Sequence, residues 1–159
     1  AYTDGANKEA RRNMLRASYF AGCAFTKSYV GYVHAVAHSL GGQYNVPHGL
    51  ANAVLLPYVL EAYGKTIHKK LAALAVAAGV ATKETPTDEA AESFIQAVKD
   101  MKARFGIGNT IPEIKEEDIP MLSHYADKEA NPLYPVPVLM DAGELEKFYY
   151  QLMPEGEES

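Results

Sequence analysis

Helical periodicity is the feature that most constrains the fold of this 159-residue chain. Along most of its length, apolar residues recur three and four positions apart, which places them on one face of an α-helix. The clearest such face, within residues 86–105, comprises Ala91, Phe94, Ile95, Val98, Met101 and Phe105. No segment alternates between apolar and polar residues for more than a few positions, as a half-buried β-strand requires. We therefore predict an all-α, multi-helix domain.

Turn and cap residues set the expected boundaries of the helices. Pro86 opens one helix and Gly106 ends it, because proline suits a first helical position and glycine a left-handed stop. Thr66 is the expected cap of the preceding helix, whose predicted inward residues are Ile67, Leu71, Leu74 and Ala78. The glycines and proline of residues 41–47 predict a turn, and Pro57 predicts a kink or a restart. The predicted helices are 7–27, 32–40, 49–63, 66–78, 86–105, a short one near 116–127, and a last one capped by Asp141 that buries Leu145, Phe148, Tyr149 and Leu152.

Composition and charge limit the possible functions. With 48% hydrophobic and 22% charged residues, the chain is expected to form one helical domain over residues 1–154 and a disordered tail at 155–159. The formal net charge of −5, without a basic block, argues against nucleic-acid binding. Cys23 is the single cysteine, which excludes an intrachain disulfide and a cysteine-based zinc site. The single cysteine favours a reducing compartment, so we expect a cytoplasmic protein, and no apolar run approaches the ~20 residues of a membrane span.

Histidines are concentrated in one short segment. Three of the five, His34, His38 and His48, lie within residues 31–49. His34 and His38 are one helical turn apart, a spacing that lets two imidazoles converge on one metal ion or one substrate. Pro47 fixes the backbone before His48, so a chain reversal can return that residue to the helix of His34. The alternative is that these histidines are helix-end and core residues satisfied by backbone groups.

Two hydrolytic mechanisms lack the residues that they need. A zinc protease needs a Glu directly after the first histidine of such a pair, and Ala35 occupies that position. The sequence contains no nucleophile elbow and no glycine-rich phosphate loop followed by Lys, and Ser39 has no visible triad context. The histidine pattern therefore indicates a metal or catalytic site without specifying its reaction.

Three stretches surround these histidines: Ala21-Gly22-Cys23-Ala24-Phe25, Gly31-Tyr32-Val33-His34-Ala35-Val36-Ala37-His38-Ser39-Leu40-Gly41-Gly42 and Tyr44-Asn45-Val46-Pro47-His48-Gly49-Leu50-Ala51-Asn52-Ala53. Two shorter motifs follow downstream, Leu55-Leu56-Pro57 and Ala130-Asn131-Pro132. Together they closely resemble the iron-containing (group III) alcohol dehydrogenase family. The resemblance is to the C-terminal helical, metal-binding domain of that family, which belongs to the dehydroquinate synthase-like superfamily.

The resemblance implies roles for individual residues. In the family, a divalent metal, usually iron, is held by one Asp and three His, and His34 and His48 match the last two ligands. His38 matches the catalytic histidine beside the nicotinamide and the substrate, which is not a ligand, and Phe25 matches an aromatic residue of the substrate pocket. The upstream ligand helix with the Asp and the first His, and the α/β nucleotide-binding domain before it, have no counterpart in this sequence. We therefore expect a fragment that is inactive alone.

The resemblance also implies an activity for the full-length enzyme, the oxidation of an alcohol to an aldehyde or ketone with NAD or NADP. The expected metal is Fe2+, with Zn2+ as a possibility, and NAD(P) is expected to bind mainly to the missing N-terminal domain. A small-molecule alcohol or aldehyde is the expected substrate, with neither nucleic acid nor membrane as a partner and a homodimer or larger assembly in the parent enzyme. The alternatives are a free-standing helical binding module derived from the family, or a fragment of a zinc glycerol dehydrogenase-like enzyme.

Overall fold

The computed structural model describes residues 1–154, and these residues contain helices and no β-strand. This confirms the predicted all-α class. The predicted tail at 155–159 lies outside the described residues. Two short 3-10 helices, Gly64–Ile67 and Glu116–Asp118, accompany the α-helices. The α-helices are α1 Lys8–Ser28, α2 Tyr32–Tyr44, α3 His48–Tyr63, α4 His68–Ala77, α5 Thr87–Arg104, α6 Ile119–Ala130 and α7 Ala142–Leu152.

The chain divides into two compact units, of which the first comprises residues Ala1–Val30 and the second begins at Gly31. The first unit is built around α1. The side chain of Asn7 caps this helix by accepting a hydrogen bond from the backbone N–H of Ala10. The prediction of one domain over residues 1–154 stays a prediction.

The core of the second unit is built around α2 and α3. Helix α2 packs against α3 and α6, α3 also packs against α5 and α7, and the pairs α4–α5 and α6–α7 complete the unit. Small side chains on α2, such as those of Ala35 and Ala37, let neighbouring helices approach closely. The fully buried side chains of greatest volume include Tyr32, Tyr149, Leu40, Leu55, Ile111, Ile119, Leu122, Leu145 and Leu152. Burial of this apolar surface is the main source of stability for such a unit.

The connection between α2 and α3 differs from its prediction. Helix α2 continues through Gly41 and Gly42, where the sequence predicted a turn, and it ends only at Tyr44. Asn45 makes the stop, because it adopts a left-handed conformation with φ 57° and its N–H donates to the Gly41 carbonyl at 3.0 Å. The reversal is therefore shorter than predicted, and α3 begins at His48, directly after Pro47.

Helix α3 runs through Pro57 without a break, so of the two predicted alternatives, a kink or a restart, the restart is wrong. A proline inside a helix removes one backbone hydrogen bond and crowds the preceding turn. Pro57 is nevertheless buried, as are Val54, Leu55 and Val59 around it. Packing of this apolar helix against α2, α5 and α7 outweighs the local cost.

Helix α4 is shorter than the predicted segment 66–78. A 3-10 turn at Gly64–Ile67 precedes it, so Thr66 is not its cap and the helix begins at His68. Ile67 and Leu71 are buried as predicted, but Leu74 is 49% exposed and Ala75 is buried in its place. Ala78, also predicted to point inward, is exposed. Leu74 and Ala75 both follow Leu71 at helical spacing, and the side of α4 that carries Ala75 is the one that faces the core.

Helices α5 and α7 agree closely with their predictions, except that Pro86 is the N-cap of α5 and Thr87 its first residue. Helix α5 ends at Arg104 and is followed by Gly106 in a left-handed conformation with φ 67°. Asp141 and Glu144 form a complete capping box at the start of α7. All four residues predicted to be buried on α7, Leu145, Phe148, Tyr149 and Leu152, are at most 3% exposed. Within residues 1–154, no helix combines the length and the apolar character that a membrane span requires.

Candidate functional site

Two helices bring the three predicted histidines together. His34 and His38 lie one turn apart on α2, and His48 is the first residue of α3. The ring centroids of His34 and His38 are 5.8 Å apart, those of His34 and His48 are 5.3 Å apart, and those of His38 and His48 are 5.1 Å apart. The chain reversal at residues 45–47 thus produces a cluster of three imidazoles, which we call the histidine cluster.

The environment of the histidine cluster favours the neutral form of the His34 ring. Partial burial lowers the pKa of His34, and the neighbouring rings of His48 and His38 lower it further. The carboxylate of Glu129 acts in the opposite direction, with a smaller effect. Neutral imidazole is the form that coordinates a metal ion, so the donor chemistry of this residue fits a metal ligand.

Glu129 on α6 holds the ring of His38. The Nδ1 atom of His38 lies 2.7 Å from Oε1 of Glu129, and the hydroxyl of Tyr134 donates to the same oxygen at 2.8 Å. Burial and the carboxylate of Glu129 raise the pKa of Tyr134 to about 12. Because a carboxylate accepts the proton of Nδ1, a neutral His38 keeps the lone pair of Nε2 available.

Asn52 lies against His48 one helical turn later on α3. Its amide nitrogen donates to the His48 carbonyl at 2.8 Å and lies 3.1 Å and 3.3 Å from the two ring nitrogens. The amide oxygen of Asn52 is the one buried side-chain polar atom that lacks a hydrogen-bond partner within residues 1–154. An unpaired buried acceptor is costly, and its presence beside the histidine cluster is typical of a place that receives a further group.

Tyr32 anchors the start of α2, two residues before His34. Its buried hydroxyl lies 2.9 Å from Oδ1 of Asn131 and 3.1 Å from the carbonyl of Met140, and it accepts from the Met140 N–H at 2.9 Å. These bonds join α2 to the end of α6 and to the segment before α7. The backbone that carries two of the histidines is therefore fixed by a fully buried side chain.

A cleft of about 320 Å³ opens beside His38. Gln43 of α2 and Tyr125 and Glu129 of α6 line it together with His38. It combines an apolar wall with a few polar groups, which is typical of small-molecule sites.

The histidine cluster does not form a complete metal site from the described residues. Within residues 1–154, no group of three or more His, Cys, Asp or Glu side chains is arranged to hold a metal ion. Phe25, predicted to line the substrate pocket, lies on α1 in the first unit and is 52% exposed. The assignments of His34 and His48 as ligands, of His38 as a catalytic residue and of Phe25 as a pocket residue stay predictions.

Sequence reasoning missed three residues of this site: Asn52, Glu129 and Tyr134. Asn52 carried a usable signal, because it follows His48 by one helical turn. Glu129 carried none, since 91 positions separate it from His38 and only the packing of α6 on α2 brings the two together.

Comparisons with known proteins all point to the same family of dehydrogenases. The profile of the Fe-containing alcohol dehydrogenase family, C-terminal part, matches residues 1–153. The chain is 43% identical over 129 residues to a 1,3-propanediol dehydrogenase of Citrobacter freundii, which covers 80% of this chain and 33% of that protein. It is 41% identical over 134 residues to alcohol dehydrogenase 4 of Saccharomyces cerevisiae, which covers 82% of this chain and 34% of that protein.

Solved structures show the same likeness. A crystal structure of a 1,3-propanediol oxidoreductase superimposes with a TM-score of 0.86 and 36% identity, over 94% of this chain and 39% of that one. An alcohol dehydrogenase from Oenococcus oeni superimposes with a TM-score of 0.84 and 36% identity, again over 94% and 39%. The chain thus spans about a third of the length of the relatives that it matches.

Proposed function

The chain belongs to the iron-containing alcohol dehydrogenase family and matches its C-terminal part, and from this premise we propose that His34 and His48 supply two ligands of a catalytic divalent metal. The observation that carries the proposal is the convergence of imidazoles from α2 and α3, with the centroids of His34 and His48 5.3 Å apart. The lowered pKa of His34 supports it, because a neutral ring is the metal-binding form.

The proposed metal is Fe2+, with Zn2+ as the alternative. His34 and His48 have the donor chemistry for such an ion, but they supply only part of its ligand set. The two further ligands that the family implies, an Asp and a His, would come from outside this sequence. When bound, such a metal supplies Lewis-acid chemistry at the oxygen of an alcohol or a carbonyl group.

His38 is proposed to receive the proton of the alcohol and to lie beside the nicotinamide. The hydrogen bond from Nδ1 to Glu129 fixes one tautomer of the neutral ring, so Nε2 is the atom that accepts a proton. Tyr134 holds Glu129 from the other side and thereby fixes the orientation of the imidazole. The adjacent cleft would receive part of the substrate. On the family resemblance alone, Phe25 stays a proposed substrate-pocket residue of the whole enzyme.

The proposed activity of the whole enzyme is the oxidation of an alcohol to an aldehyde or ketone with NAD or NADP. The cofactor would be bound mainly by an α/β domain outside this sequence, and the enzyme would assemble as a homodimer or a larger oligomer. The 159-residue chain alone is expected to produce no NADH or NADPH from alcohols. Alcohol-dependent NADH formation by the purified chain would contradict this division of roles.

Anaerobic titration of the chain with Fe(II) and, separately, Zn(II) tests the proposed ligands. We expect weak saturable binding that is lost in His34→Ala and in His48→Ala, because each variant removes one of two donors. His124→Ala is the matched control, since His124 is an exposed histidine of α6 outside the histidine cluster. His38→Ala should also keep the metal affinity.

Three outcomes would contradict the proposal. Absence of saturable binding would show that His34 and His48 do not form a half-site in this chain. Binding that survives both alanine variants would place the metal elsewhere. Loss of binding in His38→Ala would make His38 a ligand and remove its proposed role in proton transfer.

A further inference from the structure

Lys102 on α5 is the one charged residue that is buried within residues 1–154, with 5% of its surface exposed. Lysine is rarely buried to this extent unless a carboxylate neutralises it, because removing an ammonium group from water is costly. The other lysines in ion pairs are exposed side chains: Lys65 pairs with Asp88, and Lys99 pairs with Glu61.

The ammonium group of Lys102 has few partners. Its Nζ atom donates to the backbone carbonyl of Val54 at 3.4 Å, a long hydrogen bond, and lies 5.8 Å from the ring centroid of Tyr58. No carboxylate of residues 1–154 lies within ion-pair distance of it. Burial lowers the pKa of Lys102, and the charge of Lys99 lowers it further. An ammonium group has three donors, so this one keeps unused hydrogen-bonding capacity and has no ion-pair partner.

Lys102 lines a cleft of about 370 Å³ between α3 and α5 and the segment after α5. The cleft shares no lining residue with the histidine cluster. Tyr58 and Ile107 contribute apolar surface to it, and Asn109 contributes an amide. The cleft is large enough to hold a small molecule with a charged end and an apolar body.

A second charge in the cleft restricts the ligand. Asp100 also lines it, and the amide of Gln96 donates to its Oδ1 atom at 2.8 Å. This carboxylate offsets the charge of Lys102 in the cleft and repels a ligand of high negative charge, so a ligand with a single negative charge placed at Lys102 is favoured over one with two or more. Lys99 adds little to the net charge of the cleft, because its ammonium group is already paired with the carboxylate of Glu61.

We propose that this cleft binds a small organic monocarboxylate, whose carboxylate group pairs with Lys102 and whose apolar body lies against Tyr58 and Ile107. The ligand supplies the direct ion-pair partner that Lys102 lacks, and a charge-assisted hydrogen bond replaces the long contact with Val54. The site is independent of the metal and of the nucleotide, so it can be tested on the chain as it stands.

Two-dimensional amide NMR of the 15N-labelled 159-residue chain provides the test, with butyrate as the probe at neutral pH and sodium chloride at matched ionic strength as the reference. We expect saturable shifts at Tyr58 and Asn109 in the millimolar range. Lys102→Met keeps the length of the side chain and removes its charge, and it should weaken butyrate binding by about tenfold or more. Lys69→Met, which removes an exposed charge on α4, should leave the binding unchanged.

Asp100→Asn provides an independent readout. Loss of the repelling carboxylate should tighten butyrate binding by roughly threefold and should make inorganic phosphate bind measurably, which it should not do in the wild-type chain. No saturable shift with butyrate, equal affinity in Lys102→Met, or tighter binding of phosphate than of butyrate by the wild-type chain would each overturn the proposal.

Discussion

Replacing Tyr32 with Phe should destabilise the second unit through one hydroxyl group. That hydroxyl accepts a hydrogen bond from the buried Met140 N–H and donates toward Asn131 Oδ1 or the Met140 carbonyl. The Met140 carbonyl keeps a second donor in the amide of Asn131, at 2.9 Å. The Met140 N–H has no replacement partner, and leaving it buried and unpaired costs about 1–3 kcal/mol.

We therefore expect Tyr32→Phe to lower the free energy of unfolding by about 2 kcal/mol, which corresponds to a fall in Tm of roughly 4–8 °C. Urea denaturation followed by far-UV circular dichroism measures the difference, provided that the slope of the transition stays the same. Tyr150→Phe is the matched control, because Tyr150 is 48% exposed and should change the stability by less than about 0.5 kcal/mol. Equal stability of the two variants would refute the assignment of Tyr32 as the anchor of α2.

Three further predictions concern local stability. Hydrogen bonds from His68 and Lys65 lower the pKa of Asp88. The ionised Asp88 therefore stabilises the fold at neutral pH, and this stabilisation is lost as the pH falls through the lowered pKa. Asp88→Asn should lower the Tm at pH 7, and its difference in Tm from wild type should vanish in strong acid. Leu71→Ala should cost about 2–5 kcal/mol, whereas Leu74→Ala, at the exposed position, should cost less than about 0.5 kcal/mol; equal costs in urea denaturation would refute the observed phase of α4. Asp141→Ala removes the capping box of α7 and should cost about 0.5–2 kcal/mol, and an unchanged Tm would contradict its role as a cap.

Local signals in the sequence were sufficient for most of the helices. The capping box at Asp141 and the left-handed glycine at Gly106 act within a few residues, so their positions could be predicted and are confirmed. The errors arose where tertiary packing outweighs local preference. Pro57 stays inside α3 because that helix is buried against its neighbours, and packing buries Ala75 of α4 in place of Leu74.

The histidine cluster could be predicted only in part, because some of its contacts depend on local spacing and others on tertiary packing. The spacing of His34 and His38 and the reversal before His48 are local, and the structure brings all three rings together. Glu129 reaches His38 only through the packing of α6 on α2, which no pattern near the histidines encodes, and Tyr134 joins the site through its hydrogen bond to Glu129. The buried Lys102 was likewise hidden, because a charged residue on an amphipathic helix is normally expected on its solvent face.

Imidazole 15N NMR of the 159-residue chain during titration with Zn(II) tests the central claim most directly, because it reports each ring nitrogen separately. We predict that one ring nitrogen of His34 and one of His48 shift on saturation, while the rings of His38 and His124 keep their shifts. A spectrum in which neither His34 nor His48 responds, or in which His38 responds in place of one of them, would contradict the assignment of these two residues as the metal ligands.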